Sequence, residues 1–191
     1  MRESKVGLMK TILIAAMILV CATGQSIAGP KTYIGLYSAG DHNNCRVDVP
    51  AVFVSFVVWI WVLPNDEGMA CVEFGVDYPE HYMQIGTTLN PDHSIAIPGC
   101  SLPGECLMCF AECRTDWVWI AQMTMLPVEI HQDYISLTST YGYYGGRFDA
   151  ASCEPGYPVI PLTILNNLAV NQPCLISTGS SSWSPISRRP S

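Results

Sequence analysis

AVFVSFVVWIWVL, Ala51 to Leu63, is a run of 13 residues closed at either end by Pro50 and Pro64. Nearly every residue in it is β-branched or aromatic, which suits a pleated strand better than a helix. A helix crossing a bilayer needs about 20 apolar residues, so the run is too short to span a membrane. It reads as one buried strand over its full length. Being apolar on both sides, it needs a second element or a partner to cover one of its faces.

Outward from this run, strand-like segments alternate with turn signals. Upstream lies Tyr33 to Tyr37 (YIGLY), followed by the polar turn Ser38 to Asn44. Downstream, Asn65-Asp66-Glu67-Gly68 reads as a hairpin-type turn into Met69 to Tyr78. Met83 to Leu89, His93 to Ile97, Trp117 to Leu126, Val128 to Ile130 and Tyr134 to Tyr144 supply further strand material. Pro158 to Val170 holds one last strand, interrupted by Pro161 and Asn166-Asn167. No segment carries a 3.6-residue apolar period of useful length. Many short strands with turns about every ten residues predict an all-β antiparallel β-sandwich, immunoglobulin-like or cohesin-like.

Trp59 and Trp61 stand two apart in one strand, and Trp117 and Trp119 in another, so each pair shares a face. In the second strand that face continues through Ala121, Met123 and Met125. The opposite face carries Val118, Ile120, Gln122 and Thr124. The tryptophan face is the more apolar, which predicts indoles packed in the core. The competing reading places them outside, as a platform for sugar rings.

At the N-terminus Arg2, Lys5 and Lys10 precede an apolar core, Thr11 to Cys21, and small residues end at Ala28. This is the pattern of a secretory signal peptide over residues 1–28. Residues 29–176 then form the sandwich domain. Residues 177–191, rich in Ser, Pro and Arg around Trp183, form a flexible tail. Without the leader the chain keeps 6 of 9 basic and 15 of 16 acidic residues, a balance of −9 with histidine neutral. So acidic a surface argues against nucleic acid as a partner. No span is expected after signal cleavage.

Eight cysteines remain: Cys45, Cys71, Cys100, Cys106, Cys109, Cys113, Cys153 and Cys174. Export to an oxidising space makes disulfides their expected fate. Cys106-x-x-Cys109 has the spacing of a metal clip or redox pair. No second pair or histidine closes a tetrahedral zinc site, and the segment reads as a loop entered at Pro103-Gly104. Eight cysteines allow 105 pairings. Proximity along the chain favours Cys153 with Cys174 and Cys45 with Cys71.

Catalytic signatures are absent. Asp41-His42 and Asp92-His93 are adjacent pairs whose side chains point to opposite faces of a strand. No nucleophile elbow, metalloprotease helix or phosphate loop occurs. The oxygen-rich turns Asp41 to Asn44 and Asn65 to Glu67 are too poor in ligands for calcium. The expectation is no catalytic residues, no metal and no cofactor. A secreted hydrolase would return if His42 and Asp41, or His93 and Asp92, shared a pocket with a nucleophile such as Ser94.

Tyr33 to Tyr37, Gly68 to Phe74 (GMACVEF), Cys113-Arg114-Thr115-Asp116, Cys153, Cys174 and the closing Ser182-Trp183-Ser184 fall in a recurring order. In these motifs the chain resembles a group of uncharacterised secreted bacterial proteins, disulfide-bearing β-sandwiches with a short tryptophan-containing C-terminus. The resemblance implies fold and export, and no activity. The cysteines around Cys106 and Cys109 depart from that pattern. The sequence thus predicts a non-catalytic binding or structural module, secreted, periplasmic or on the cell surface. Its partner is an unidentified protein or glycan. The alternative is a carbohydrate-binding module using exposed tryptophans.

Overall fold

The computed structural model describes residues 31–101, 104–140, 146–176 and 184–185. The leader, residues 1–28, lies outside them, as do Tyr141–Tyr144 and all of the tail except Ser184–Pro185. The described residues are all β. They comprise β1 (Thr32–Tyr37), β2 (Arg46–Val47), β3 (Phe56–Leu63), β4 (Met69–Asp77), β5 (Tyr82–Leu89), β6 (His93–Ser101) and β7 (Gly104–Arg114). There follow β8 (Val118–Pro127), β9 (Asp133–Thr138), β10 (Asp149–Ser152), β11 (Val159–Asn166), β12 (Leu168–Val170), β13 (Leu175–Ile176) and β14 (Ser184–Pro185). No helix among them is long and apolar enough to cross a membrane.

Two layers result. One runs β5-β8-β3-β1-β11, and the other is built on β4, which pairs with β7, β10 and β9. Strand β11 joins them: its first residues pair with β10 and its remainder with β1. Most neighbours are antiparallel, but β1–β11 and β2–β12 are parallel. The Asn65–Gly68 turn forms as expected, with Gly68 N–H donating to Asn65 O at 3.0 Å. It carries the chain from one layer to the other rather than closing a hairpin. Gly68 has φ +80°, and a Cβ there would collide with Cys113 Sγ, so only glycine fits.

The core lies between the layers. From the first come Ile34, Leu36, Val58, Ile60, Val62, Ile120, Met123 and Met125. From the second come Val72, Phe74, Met108, Ile135 and Leu168. The long apolar run is a strand only from Phe56. Residues 50–55 are exposed, Phe53 sits at φ +59° and its N–H donates to Pro127 O at 2.8 Å. That backbone bond makes a turn of a segment whose composition gives no turn signal. Val128–Ile130 is not a strand either.

The cysteine-rich segment is strand, not loop: Cys106, Cys109 and Cys113 all lie on β7. Cys106 is buried opposite Phe74, whereas Cys109 stands on the other face opposite Cys71. Residues three apart on a strand face opposite ways, which is why this C-x-x-C makes no clip. Disulfides join Cys45 to Cys174, Cys71 to Cys109 and Cys113 to Cys153, and Cys106 is also disulfide-bonded. The pairings favoured by chain proximity, Cys45–Cys71 and Cys153–Cys174, are not formed. The chain between them changes layers, so nearness in sequence is not nearness in space. Cys45–Cys174 closes a separation of 129 residues. In the chain-entropy model such a loop contributes about 5 kcal/mol.

Candidate functional site: an aromatic groove

The expected core position of the tryptophans is corrected by one residue. In the β3–β8 ladder Ile60 faces Ala121 and Trp61 faces Trp119, leaving Ile120 as an extra residue, a β-bulge. Ile120 and Ala121 are both fully buried, so the alternation changes phase between them. Ala121, Met123 and Met125 point inward, while Trp119 points outward. On β3 the core face is Phe56, Val58, Ile60 and Val62, and Trp59 and Trp61 share the outer face. A buried indole N–H needs an acceptor. Methionine, isoleucine and valine fill the interlayer space without that demand.

Beside these strands β1 adds Gly35 opposite Trp61 and Tyr37 opposite Trp59. The Ser38–Asn44 loop, closed by Ser38 N–H to Asn44 O at 2.8 Å, folds over this part of the face. Tyr37 is 7% exposed, and burial pushes its phenol up to about 12. Gly40 lies against the Trp59 ring. His42, at φ +48°, stacks on Trp117 at 4.4 Å and 19°. The same imidazole lies against Trp61 at 4.9 Å and 53°. Trp59 and Trp119 meet edge-on at 5.4 Å.

Next to this cluster opens a groove of about 440 Å³, lined chiefly by Trp61, Trp117, Trp119, Asp92, Arg114 and Asp116. Its rim is held by Asn90, 4% exposed, whose amide donates to Trp119 O at 2.7 Å. The Asn90 backbone N–H donates to Ile120 O at 3.0 Å, and its Oδ1 accepts from Asp92 N–H at 2.9 Å. Arg114 Nη2 donates to Asp92 Oδ2 at 3.2 Å, and its guanidinium lies 4.8 Å from the Phe110 ring centre. Asp116 Oδ1 accepts from Trp117 N–H at 2.7 Å, fixing the turn into β8. Trp61 Nε1 and Arg114 Nε are both buried without a hydrogen-bond partner among the described residues. Two orphan donors therefore lie among the groove's lining residues.

The other sequence candidates scatter. His93 Nδ1 contacts Asn90 O at 2.5 Å, and Ser94 Oγ donates to Cys109 O at 3.2 Å. No histidine–nucleophile pair forms there. His81 and His131 lie 4.4 Å apart, facing Asp133 at 3.1 Å and Glu129 at 2.8 Å respectively. The hydrogen bond from His131 holds the Glu129 carboxyl below its usual range. On the outer face of the second layer Glu73 and Asp149 are cross-strand neighbours beside a hollow of about 300 Å³. Glu73, buried, accepts the Thr140 hydroxyl at 3.0 Å. Among the described residues no three His, Cys, Asp or Glu side chains are grouped to hold a metal ion. Asp41 and Asn44 side chains cap their own loop, accepting from Asn43 N–H and Arg46 N–H. Arg114 and Asp116 carried no signal as site residues, and Asp92 was marked only as the neighbour of His93. Only the Cys113-Arg114-Thr115-Asp116 motif and the Asn90-Pro91-Asp92 turn marked their neighbourhood.

No protein-family model matches the chain, and no curated protein matches it in sequence. Among solved structures it is similar to the seventh ScaB type I cohesin of Pseudobacteroides cellulosolvens. The TM-score is 0.51 at 11% identity, covering 73% of this chain and 90% of that one. A non-cellulosomal cohesin of the archaeon Archaeoglobus fulgidus gives 0.49 at 8% identity, covering 74% and 92%. The first likeness is one of fold, and it makes this chain a cohesin-like β-sandwich.

Proposed function

We propose that this protein is an exported, non-catalytic binding module that seats a carbohydrate in the Trp61–Trp117–Trp119 groove. The observation that carries the reading is the pair of buried donors without partners, Trp61 Nε1–H and Arg114 Nε–H, in a groove with indole walls. Leaving buried donors unmatched costs about 1–3 kcal/mol each. A sugar ring offers what the groove lacks: oxygen acceptors for the donors and an apolar C–H face for the indoles. Asp92 and Asp116 supply acceptors for sugar hydroxyls. With one guanidinium against two carboxylates, the lining suits a neutral sugar better than an acidic one. The leader-like N-terminal sequence and the disulfides, which persist in oxidising compartments, support export.

The test is a tryptophan-fluorescence titration against a panel of neutral and acidic soluble oligosaccharides. The reading expects saturable change with neutral members, weakened about tenfold or more by Trp119→Ala, as for a central aromatic contact. A panel in which no member changes the emission contradicts it.

A further inference from the structure

The indole planes at the groove are not coplanar. Trp117 lies 19° from the His42 ring and Trp61 lies 53° from it. The two indoles are therefore inclined to each other by at least 34°, the difference between those angles. Trp59 and Trp119 are likewise at 74°. His42 is the wedge that sets the inclination. Its ring packs against one side of both Trp61 and Trp117, and Tyr37 meets it edge-on at 6.3 Å. Its backbone is committed to a left-handed conformation in a loop closed at Ser38–Asn44 and followed at once by the Cys45–Cys174 disulfide.

Resting on the carbohydrate reading, we infer that the groove selects a bent single glycan chain over a flat one, with His42 as the positioning residue for that selectivity. A β-1,4-linked glucan is an extended ribbon whose successive ring faces are best matched by nearly coplanar aromatic rings. An α-1,4-linked glucan turns at every linkage, so neighbouring rings meet the protein at different angles. Two indoles held at an angle match the rings of the turning chain better than those of the ribbon. Asp92 and Asp116, which line the same groove, supply acceptors for hydroxyls of the rings so seated.

Two soluble hexamers of glucose, one α-1,4-linked and one β-1,4-linked, test this on the intact exported protein by calorimetry. The α-linked hexamer is expected to bind about tenfold more tightly, equivalent to the loss of one stacked ring. His42→Ala should shrink that ratio toward one. His42→Phe, which keeps a flat ring against both indoles, should restore it. A comparison of denaturation midpoints and near-ultraviolet circular dichroism separates loss of the wedge from loss of the fold. Equal or tighter binding of the β-linked hexamer overturns the inference, and so does an unchanged ratio in His42→Ala. If neither hexamer binds while another neutral glycan does, bent-chain selection fails and the carbohydrate reading stands. Silence from every glycan overturns both.

Discussion

Tyr37 lies with its ring folded back over Gly35, where an added Cβ would come within 2.8 Å of the phenol oxygen. Tyr82 packs edge-on against Phe56 at 5.8 Å. Burial raises both phenols to about 12, and the nearby Asp133 charge adds to the shift at Tyr82. In the unfolded chain both ionise at about 10. The folded state therefore favours the protonated phenol. This contribution to stability is complete below about pH 10 and is lost as pH rises through about 12. Absorbance titration should show Tyr37 and Tyr82 ionising last of the nine tyrosines, with Tyr78 and Tyr134 also shifted upward by burial, together with loss of structure. All nine titrating together near the ordinary value, with the fold intact, contradicts this burial. At this scale the sequence was half legible. Alternation in Tyr33–Tyr37 separates Ile34 and Leu36 from the tyrosines, but it cannot reveal that a loop 38–44 folds back to bury one of them.

Strands β3 and β8 show where alternation fails as a guide to facing. Val57, Trp59, Trp61 and Leu63 are as apolar as the residues between them, so the Phe56–Leu63 pattern is consistent with either face being the core. In β8 the pattern is informative until the bulge at Ile120, after which a reading in simple steps of two assigns the wrong face to the tryptophans. A bulge has no fixed sequence signature and arises from pairing with β3. The two facings make opposite energetic forecasts. Met123, fully buried, should cost about 2–5 kcal/mol of unfolding free energy when replaced by alanine. Trp119→Ala should cost less than that, because the indole is half-buried on the outer face and its loss opens no cavity between the layers. Denaturant unfolding of the two variants measures both, and the reverse ranking refutes the outward tryptophans.

Across the whole molecule, the sandwich class was readable because strand composition and turn spacing are local properties. The layer each strand joins is a long-range property. The chain moves between layers at Asn65–Gly68, and β11 belongs to both, so neither disulfide pairing nor the groove follows from neighbours in sequence. The groove draws together the end of β3, the Asn90–Asp92 turn and the β7–β8 connection, segments distant in sequence that meet only when the sheets close. There Trp61 Nε1 and Arg114 Nε lie buried without partners among the described residues, beside the outward indoles on which the carbohydrate proposal rests. Indole N–H resonances report on this directly, since each of the five tryptophans contributes one. On titration with a neutral oligosaccharide the Trp61 Nε1–H signal, assigned by its loss in Trp61→Phe, should move downfield as it gains an acceptor, while the amide signals of Met123 and Met125 stay in place. A saturated complex in which the Trp61 indole signal does not move, and the amides of another face do, contradicts the account.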